Sequence, residues 1–210
     1  RIPFGLTDPQ FGLDATFYMV TLKALNFVQG WLLGLITICI TVSLVVYLAV
    51  FSIRKVNLFI TPKMLNHIVA TTAFLMIVIA LNHLLDIYEL IISENGIIFG
   101  ATYTDIQVRL PLYIFLSVLA SITAFLLIAS TRVIGFRLVI GSLTLWAVLA
   151  IVGGIAFPLI FERFRVNPDQ FAKEKPYISR NLEATRAAYQ LDDIESISYP
   201  AKGDLDSVAI

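Results

Sequence analysis

Charge is scarce in this chain, and scarcest where the chain is most apolar. Asp, Glu, Lys and Arg make up 14% of 210 residues, against 58% hydrophobic. None of them falls in the middle of four long apolar runs, Phe27 to Phe51, His67 to Ile92, Leu110 to Ser130 and Leu138 to Phe161. That absence removes the usual signature of an intramembrane ion or proton path. The single cysteine, Cys39, has no partner for an internal disulfide and excludes a cysteine-rich metal site. Inside the first run it reads as a packing residue. The only two histidines, His67 and His83, share the second run. On an ideal helix they are separated by about 24 Å of rise and a rotation of about 160°, so they cannot ligate one haem from that helix. No other run supplies a second axial histidine. The chain has no Gly-rich phosphate loop, nucleophile elbow or zinc-protease motif. Fifteen Lys+Arg balance fifteen Asp+Glu, which gives a nucleic acid no electrostatic hold.

What the chain has is apolar length. Each run reaches at least about twenty residues, enough to cross a bilayer core. The expected fold is an all-α membrane protein with four transmembrane helices, followed by the start of a water-facing, partly helical segment. Residues 1–26 form an extracytoplasmic or interfacial lead-in, 27–161 a four-span bundle (27–51, 67–92, 110–130 and 138–161), and 162–210 the start of an extracytoplasmic region. Arg54, Lys55 and Lys63 lie between the first two runs and Arg132 and Arg137 between the last two, with no acidic residue in either loop. The loop between runs two and three carries Asp86, Glu89, Glu94 and Asp105 against Arg109 alone. The positive-inside rule puts the basic loops in the cytoplasm and both ends outside a plasma membrane. The chain opens on Arg1 and stops in a polar stretch, which reads as an excerpt of a longer protein.

Local signals refine the spans. Asp8-Pro9 marks a turn ahead of the aromatic run Phe17-Tyr18-Met19-Val20, an interfacial pattern. Thr104 and Gln107 resemble a capping box, with Pro111 in the first turn of the third helix. Ser117/Ser121, Ala120/Ala124 and Ala150/Gly154 place small residues four apart, which allows close helix approach. Pro158 with Gly153-Gly154 predicts a bend in the fourth span. His67, beside Lys63, reads as a headgroup contact. Asn167-Pro168 with Gln170 opens a further helix. In it Ile178, Leu182, Thr185 and Tyr189 form an apolar stripe that needs a partner: the continuation of the chain, the outer face of the bundle or another subunit.

The densest polar group is Asn82, His83, Asp86, Tyr88 and Glu89, at the outer end of the second run. His83, Asp86 and Glu89 fall within one stretch of helix face, and Asp105 in the next loop is the candidate fourth member of a polar or metal cluster. The alternative is a helix end hydrogen-bonding its own loop, and that reading is preferred. Asp192, Asp193, Glu195, Asp204 and Asp206 depart from calcium-loop spacing and read as solvated surface. No cofactor is expected. The expected partners are the lipid bilayer and a membrane or cell-envelope protein or a second copy of the chain, with no nucleic acid.

Several strings resemble a known family. Asp8-Pro9-Gln10-Phe11-Gly12 with Asp14 and Phe17-Tyr18, then Leu85-Asp86-Ile87-Tyr88-Glu89-Leu90, Gly100-Ala101-Thr102-Tyr103-Thr104-Asp105, and a tail running from Glu174-Lys175-Pro176-Tyr177-Ile178 to Asn181 through Tyr189 are similar to segments of uncharacterised protein family 0182. The resemblance implies a large bacterial integral membrane protein with a long region outside the plasma membrane. This chain corresponds to its later spans and the first part of that region. The family pattern has a His after the Tyr-Thr-Asp string, where this chain has Gln107. The resemblance carries no reaction, substrate or cofactor. The leading expectation is therefore an anchor that orients an extracytoplasmic domain in the cell envelope. The alternatives are a transporter or channel subunit, or an envelope enzyme with a site at the outer end of the second span.

Overall fold

A computed structural model describes residues 3–54, 61–94, 99–130, 136–191 and 194. Lys55, Arg132 and the acidic group from Asp192 to Asp206 lie outside them. The elements among the described residues are helices: α1 (Leu22–Arg54), α2 (Pro62–Glu89), α3 (Leu110–Ser130), α4 (Phe136–Ile151), α5 (Phe157–Phe161) and α6 (Gln170–Ala188). One isolated antiparallel bridge, Thr7 to Asp14, accompanies them. The fold is all-α, and four helical stretches are long and apolar enough to cross a membrane. The third ends at Ser130, as expected, but its helix begins at Tyr103 and runs through the π turn Asp105–Arg109 into α3. The first starts earlier than expected, because Phe17–Thr21 forms a π turn that runs directly into α1. Thr61 starts α2, its hydroxyl accepting from the Met64 N–H at 3.4 Å with Pro62 behind it, the usual arrangement of a polar N-cap ahead of a first-turn proline.

The core lies between α2 and α3. Val69, Ala73, Met76 and Ala80 meet Ala120, Ala124 and Leu127, with Leu143 and Trp146 of α4 packed alongside. Alanine on both helices lets the backbones approach closely. At that seam the buried Ser117 hydroxyl donates to the Ala80 carbonyl at 2.9 Å. The Ala120/Ala124 pair is thus a packing seam, whereas a Cβ on Gly154 would meet nothing within 4 Å. Gly153 makes the close approach instead: a Cβ there would sit 2.8 Å from a Leu112 methyl. Helix α1 packs on α2, and α4 on α3. The Tyr47 hydroxyl and His67 Nδ1 lie 2.8 Å apart, so His67 ties α1 to α2 through a side-chain partner. Cys39 is exposed on α1 and is not the packing residue expected from its apolar neighbours.

Four prolines fall inside continuous helix; Pro176 sits within α6 with no π turn directly before it, and the other three each follow a π turn by the same offset. The turns Asp105–Arg109, Val152–Ala156 and Glu162–Val166 precede Pro111, Pro158 and Pro168. Each closes with an N–H bonded five residues back, Leu110 to Asp105, Phe157 to Val152 and Asn167 to Glu162. A proline in an α-helix has no N–H to donate and clashes with the carbonyl four residues earlier. The wider turn moves that carbonyl away, and π turns are recurrent sites of helix irregularity. Pro111 is therefore interior to its helix and not in the first turn, since helical residues begin at Tyr103. No loop separates α4 from α6: the chain stays helical through the last two π turns and a 3₁₀ turn, Asn167–Asp169. Asp169, at φ −139° and ψ 49°, breaks helical geometry and redirects the chain. The expected helix start at Asn167 is met within a few residues, without a side-chain cap.

Candidate functional site

The polar chemistry of the chain gathers at one end of the bundle, where α2 ends and α3 begins. Residues 4–18 fold there around two carboxylates. Asp14 accepts from the backbone N–H groups of Phe4 (3.1 Å), Gly5 (2.9 Å) and Thr16 (2.8 Å). Bonds from Thr16 first, then Phe4 and Gly5, hold its carboxyl down at about 2, because donors favour the charged form. Asp8 accepts from Gln10 N (3.1 Å), Phe11 N (2.6 Å) and the Tyr18 hydroxyl (3.2 Å), the self-bonding that makes Asp a turn residue. Gly5 and Gly12 take φ values of 83° and 67°, open to glycine but strained for other residues.

A second carboxylate knot lies in the loop entering α3. Asp105 is fully buried. Its Oδ1 accepts from Arg109 Nη1 at 2.7 Å, and its Oδ2 from Thr102 N (3.0 Å), Thr102 Oγ1 (2.9 Å) and Ser93 Oγ (3.1 Å). In return Asp105 N donates to Thr102 Oγ1 at 3.2 Å. Thr102 and Asp105 thus form the reciprocal capping box, two residues ahead of the expected Thr104/Gln107 pair; Thr104 makes no side-chain cap bond.

Of the sequence-predicted cluster, the structure pairs His83 with Asp86 and places Glu89 and Asp105 with other partners. Asp86 Oδ2 receives Asn82 Nδ2 at 2.8 Å and faces His83 Nδ1 at 3.2 Å. The imidazole stacks near Tyr113 (6.1 Å, 14°) and lies 6.3 Å from the Trp146 ring. Glu89 accepts from the Asn26 amide of α1. Asp105 is filled by its own loop. Among the described residues no three His, Cys, Asp or Glu side chains are grouped to hold a metal ion.

Helix α6 docks onto this end. The buried Glu174 carboxylate takes the Tyr103 N–H, with oxygens at 3.1 and 3.2 Å. Asn181 Nδ2 donates to the Phe99 carbonyl at 2.7 Å, and Arg180 Nη1 to Gln10 Oε1 at 3.0 Å. The Tyr103 ring stacks near Phe161 (6.3 Å), meets Tyr177 edge-on (6.4 Å) and lies under the Lys173 ammonium (5.7 Å). Burial pushes the Glu174 carboxyl up, against the Tyr103 N–H, with Asp105 and Glu162 adding to the rise. Burial likewise raises the Tyr177 hydroxyl, opposed by Gln107 and the Arg180 guanidinium. The docked face is therefore Glu174, Tyr177 and Asn181. The stripe expected from periodicity is only partly covered: Ile178 is half-buried, while Leu182 and Tyr189 are 50% and 73% exposed. An unpaired buried N–H costs more than an exposed apolar side chain, so hydrogen bonds chose the face.

The segments that meet here are distant in the chain. Tyr88 packs edge-on against Phe11 (5.3 Å) and Phe17 (5.2 Å), which joins the N-terminal loop to α2. Sequence reasoning missed Ser93, Asn26 and the role of Glu174. The Thr102-x-x-Asp105 spacing, a capping-box pattern, is the signal that could have located the helix start. Chemically the assembly is a latch: Glu174 takes the Tyr103 N–H of a distant segment, while Asp8, Asp14 and Asp105 tie the backbone of their own loops into the shape it meets.

Comparison with known proteins places these observations in a family. The model of Uncharacterised protein family (UPF0182) matches residues 1–210. The chain is 32% identical to a UPF0182 protein of Arthrobacter sp. (strain FB24) over 95% of its own length and 20% of the relative's. It is 34% identical to one from Thermobifida fusca (99% and 20%) and 31% identical to one from Trichodesmium erythraeum (98% and 23%). It thus spans about a fifth of the length of the curated relatives it matches. No solved structure matches it. The strings that form the latch, from Asp8 to Tyr189, lie within the matched region, and the chain belongs to the uncharacterised family UPF0182.

Proposed function

We propose that this chain anchors a larger cell-envelope protein in the plasma membrane and fixes the orientation of the region that follows α6. The observation that carries the reading is the docking of α6: a buried carboxylate on the Tyr103 N–H, with Asn181 on the Phe99 carbonyl. A helix merely leaving the bilayer needs no such contacts, whereas a rigid joint does. The apolar spans supply the anchor, with the bilayer as their partner. The basic residues between the first two and the last two apolar runs, against the acidic stretch between the middle two, support an extracytoplasmic position for the latch. The relatives, about five times as long as this chain, supply the mass that such a joint would carry. Membrane or envelope proteins, or a second copy, would meet the exposed faces of α1 and α4.

The test is a distance measurement. Spin labels at Ser179→Cys and Val28→Cys, on a Cys39→Ser background in bilayers, should give one narrow distribution. Glu174→Ala with Asn181→Ala should broaden it. A broad distribution in the parent would remove the fixed-joint reading.

A further inference from the structure

At the end of the bundle where the latch sits, α1, α2 and α3 line an open cavity of about 310 Å³, with Lys23, Asp86, Glu89, Ser93 and Tyr113 among its walls. That size is at the lower end of small-molecule sites, roughly 300–1,000 Å³. Its carboxylates differ from the other acids here. Asp105, Asp14 and Asp8 are filled by donors of their own loops. Asp86 and Glu89 each bind the protein through one oxygen only: Asn82 and His83 meet Asp86 Oδ2, and Asn26 meets Glu89 Oε1. Asp86 Oδ1 and Glu89 Oε2 accept nothing from the described residues. The asparagine amides orient these groups without neutralising them. Lys23 shares the cavity and forms no ion pair among the described residues.

We propose that this cavity binds a small zwitterion, a primary ammonium beside a phosphate or carboxylate, with the ammonium between Asp86 and Glu89 and the anion on Lys23. A primary ammonium carries three N–H donors and no acceptor, which suits two open carboxylate oxygens and a phenol oxygen. A lysine is a point-charge partner for phosphate. A divalent ion such as calcium needs six to eight oxygen ligands, more than two carboxylates offer, and a purely cationic ligand would leave Lys23 repelling it. The cavity adjoins the apolar spans, so the ligand has two sources: the headgroup of an aminophospholipid, or a free zwitterion from water. The proposal does not depend on the anchor reading, since a rigid latch needs no ligand and a ligand site needs no latch.

The test uses the purified full-length protein in nanodiscs of mixed phosphatidylethanolamine and phosphatidylcholine, with retained lipid read by native mass spectrometry. Soluble phosphoethanolamine and phosphocholine are titrated onto the same preparation. The expected result is selection of the primary ammonium over its trimethyl counterpart, reduced about tenfold or more in Lys23→Gln and in Glu89→Gln, as for loss of a charge-assisted hydrogen bond. Glu183→Gln, on α6, should leave it unchanged. Selection among the lipids alone assigns the site to a headgroup, and selection among the soluble compounds alone assigns it to a free zwitterion; both support the chemistry. Equal binding of ethanolamine and choline forms in both formats, or selection unaffected by both charge variants, would overturn it. If the variants fail to fold, the ethanolamine-to-choline comparison on the parent still decides.

Discussion

Asp105→Ala should destabilise the latch more than any other single truncation around it. The side chain is fully buried and its two oxygens take four donors, Arg109 Nη1 at 2.7 Å and three from Thr102 and Ser93 at 2.9–3.1 Å. A hydrogen bond to a charged group is worth about 1.5–3 kcal/mol, but four such terms would overcount. The Ser93 hydroxyl also reaches the Gly100 carbonyl at 3.2 Å, and Arg109 is 20% exposed and regains water. The better guide is removal of one partner from a buried pair, about 3–5 kcal/mol. At roughly 2–4 °C per kcal/mol for a chain of this size, that is a fall in Tm of about 6–20 °C. Thermal unfolding of the purified protein in detergent, followed by circular dichroism, measures it. Asp105→Ala/Arg109→Leu should be less destabilised than the sum of the singles, since the second change removes a charge already stranded. A loss below about 1 kcal/mol, or strict additivity, would show that the carboxylate is not the centre of this knot.

Burial raises the Glu174 carboxyl above its ordinary value, so the docked state holds its proton more tightly than the undocked one. Docking of α6 should then be strongest below the ordinary glutamate value, about 4.3, and weaken as pH rises through the raised one. Protease cleavage of α6 should increase over that interval, and Glu174→Gln should flatten the profile; a profile that is already flat in the parent refutes the assignment. Ser117→Ala removes one interhelical bond to Ala80 and should cost only about 0.6 kcal/mol, the average for such bonds within membranes; a loss of several kcal/mol in a thermal melt would mean that the seam depends on more than alanine packing. On a Cys39→Ser background, Ser179→Cys should react with an impermeant thiol reagent in intact cells and Lys63→Cys should not. The reverse pattern would invert the orientation drawn from loop charge.

The spans were legible because a bilayer demands length and apolarity and little else. The end of the third helix at Ser130 was therefore legible, although its start lies at Tyr103, earlier than the apolar run. Helix ends were less legible, because they depend on which of several polar residues captures which N–H. Thr104 and Gln107 had suitable spacing, but Thr102 won because Asp105 can also reach Ser93 and Arg109 from the same position. The face of α6 was misread for a related reason. Periodicity weighs apolar side chains, while the docked surface is chosen by a backbone N–H at Tyr103 and a carbonyl at Phe99, which no hydrophobic pattern records. Three of the four π turns among the described residues left a trace in the sequence, a proline within an apolar or helical stretch, but the trace reads equally as a kink or a helix start.

The acids at this end of the bundle divide by what fills them, and that division separates structure from recognition. The middles of the four apolar runs carry no charge, and the charged groups of the described residues stand at the helix ends and in the segments that join them. There Asp8, Asp14 and Asp105 face backbone N–H groups, donors that no change of ligand or pH removes. A carboxylate so placed shapes a loop, and its charge is already answered. Asp86 and Glu89 are held instead by side-chain partners that, among the described residues, leave an oxygen of each open, next to Lys23 of α1, which forms no ion pair among them. Those partners, Asn26, Asn82 and His83, orient each group without closing it. Leaving two anions and a cation open in one cavity while neighbouring acids are closed weakens the fold, since each open group forgoes a bond that the chain otherwise makes readily. A bound zwitterion would satisfy all three at once.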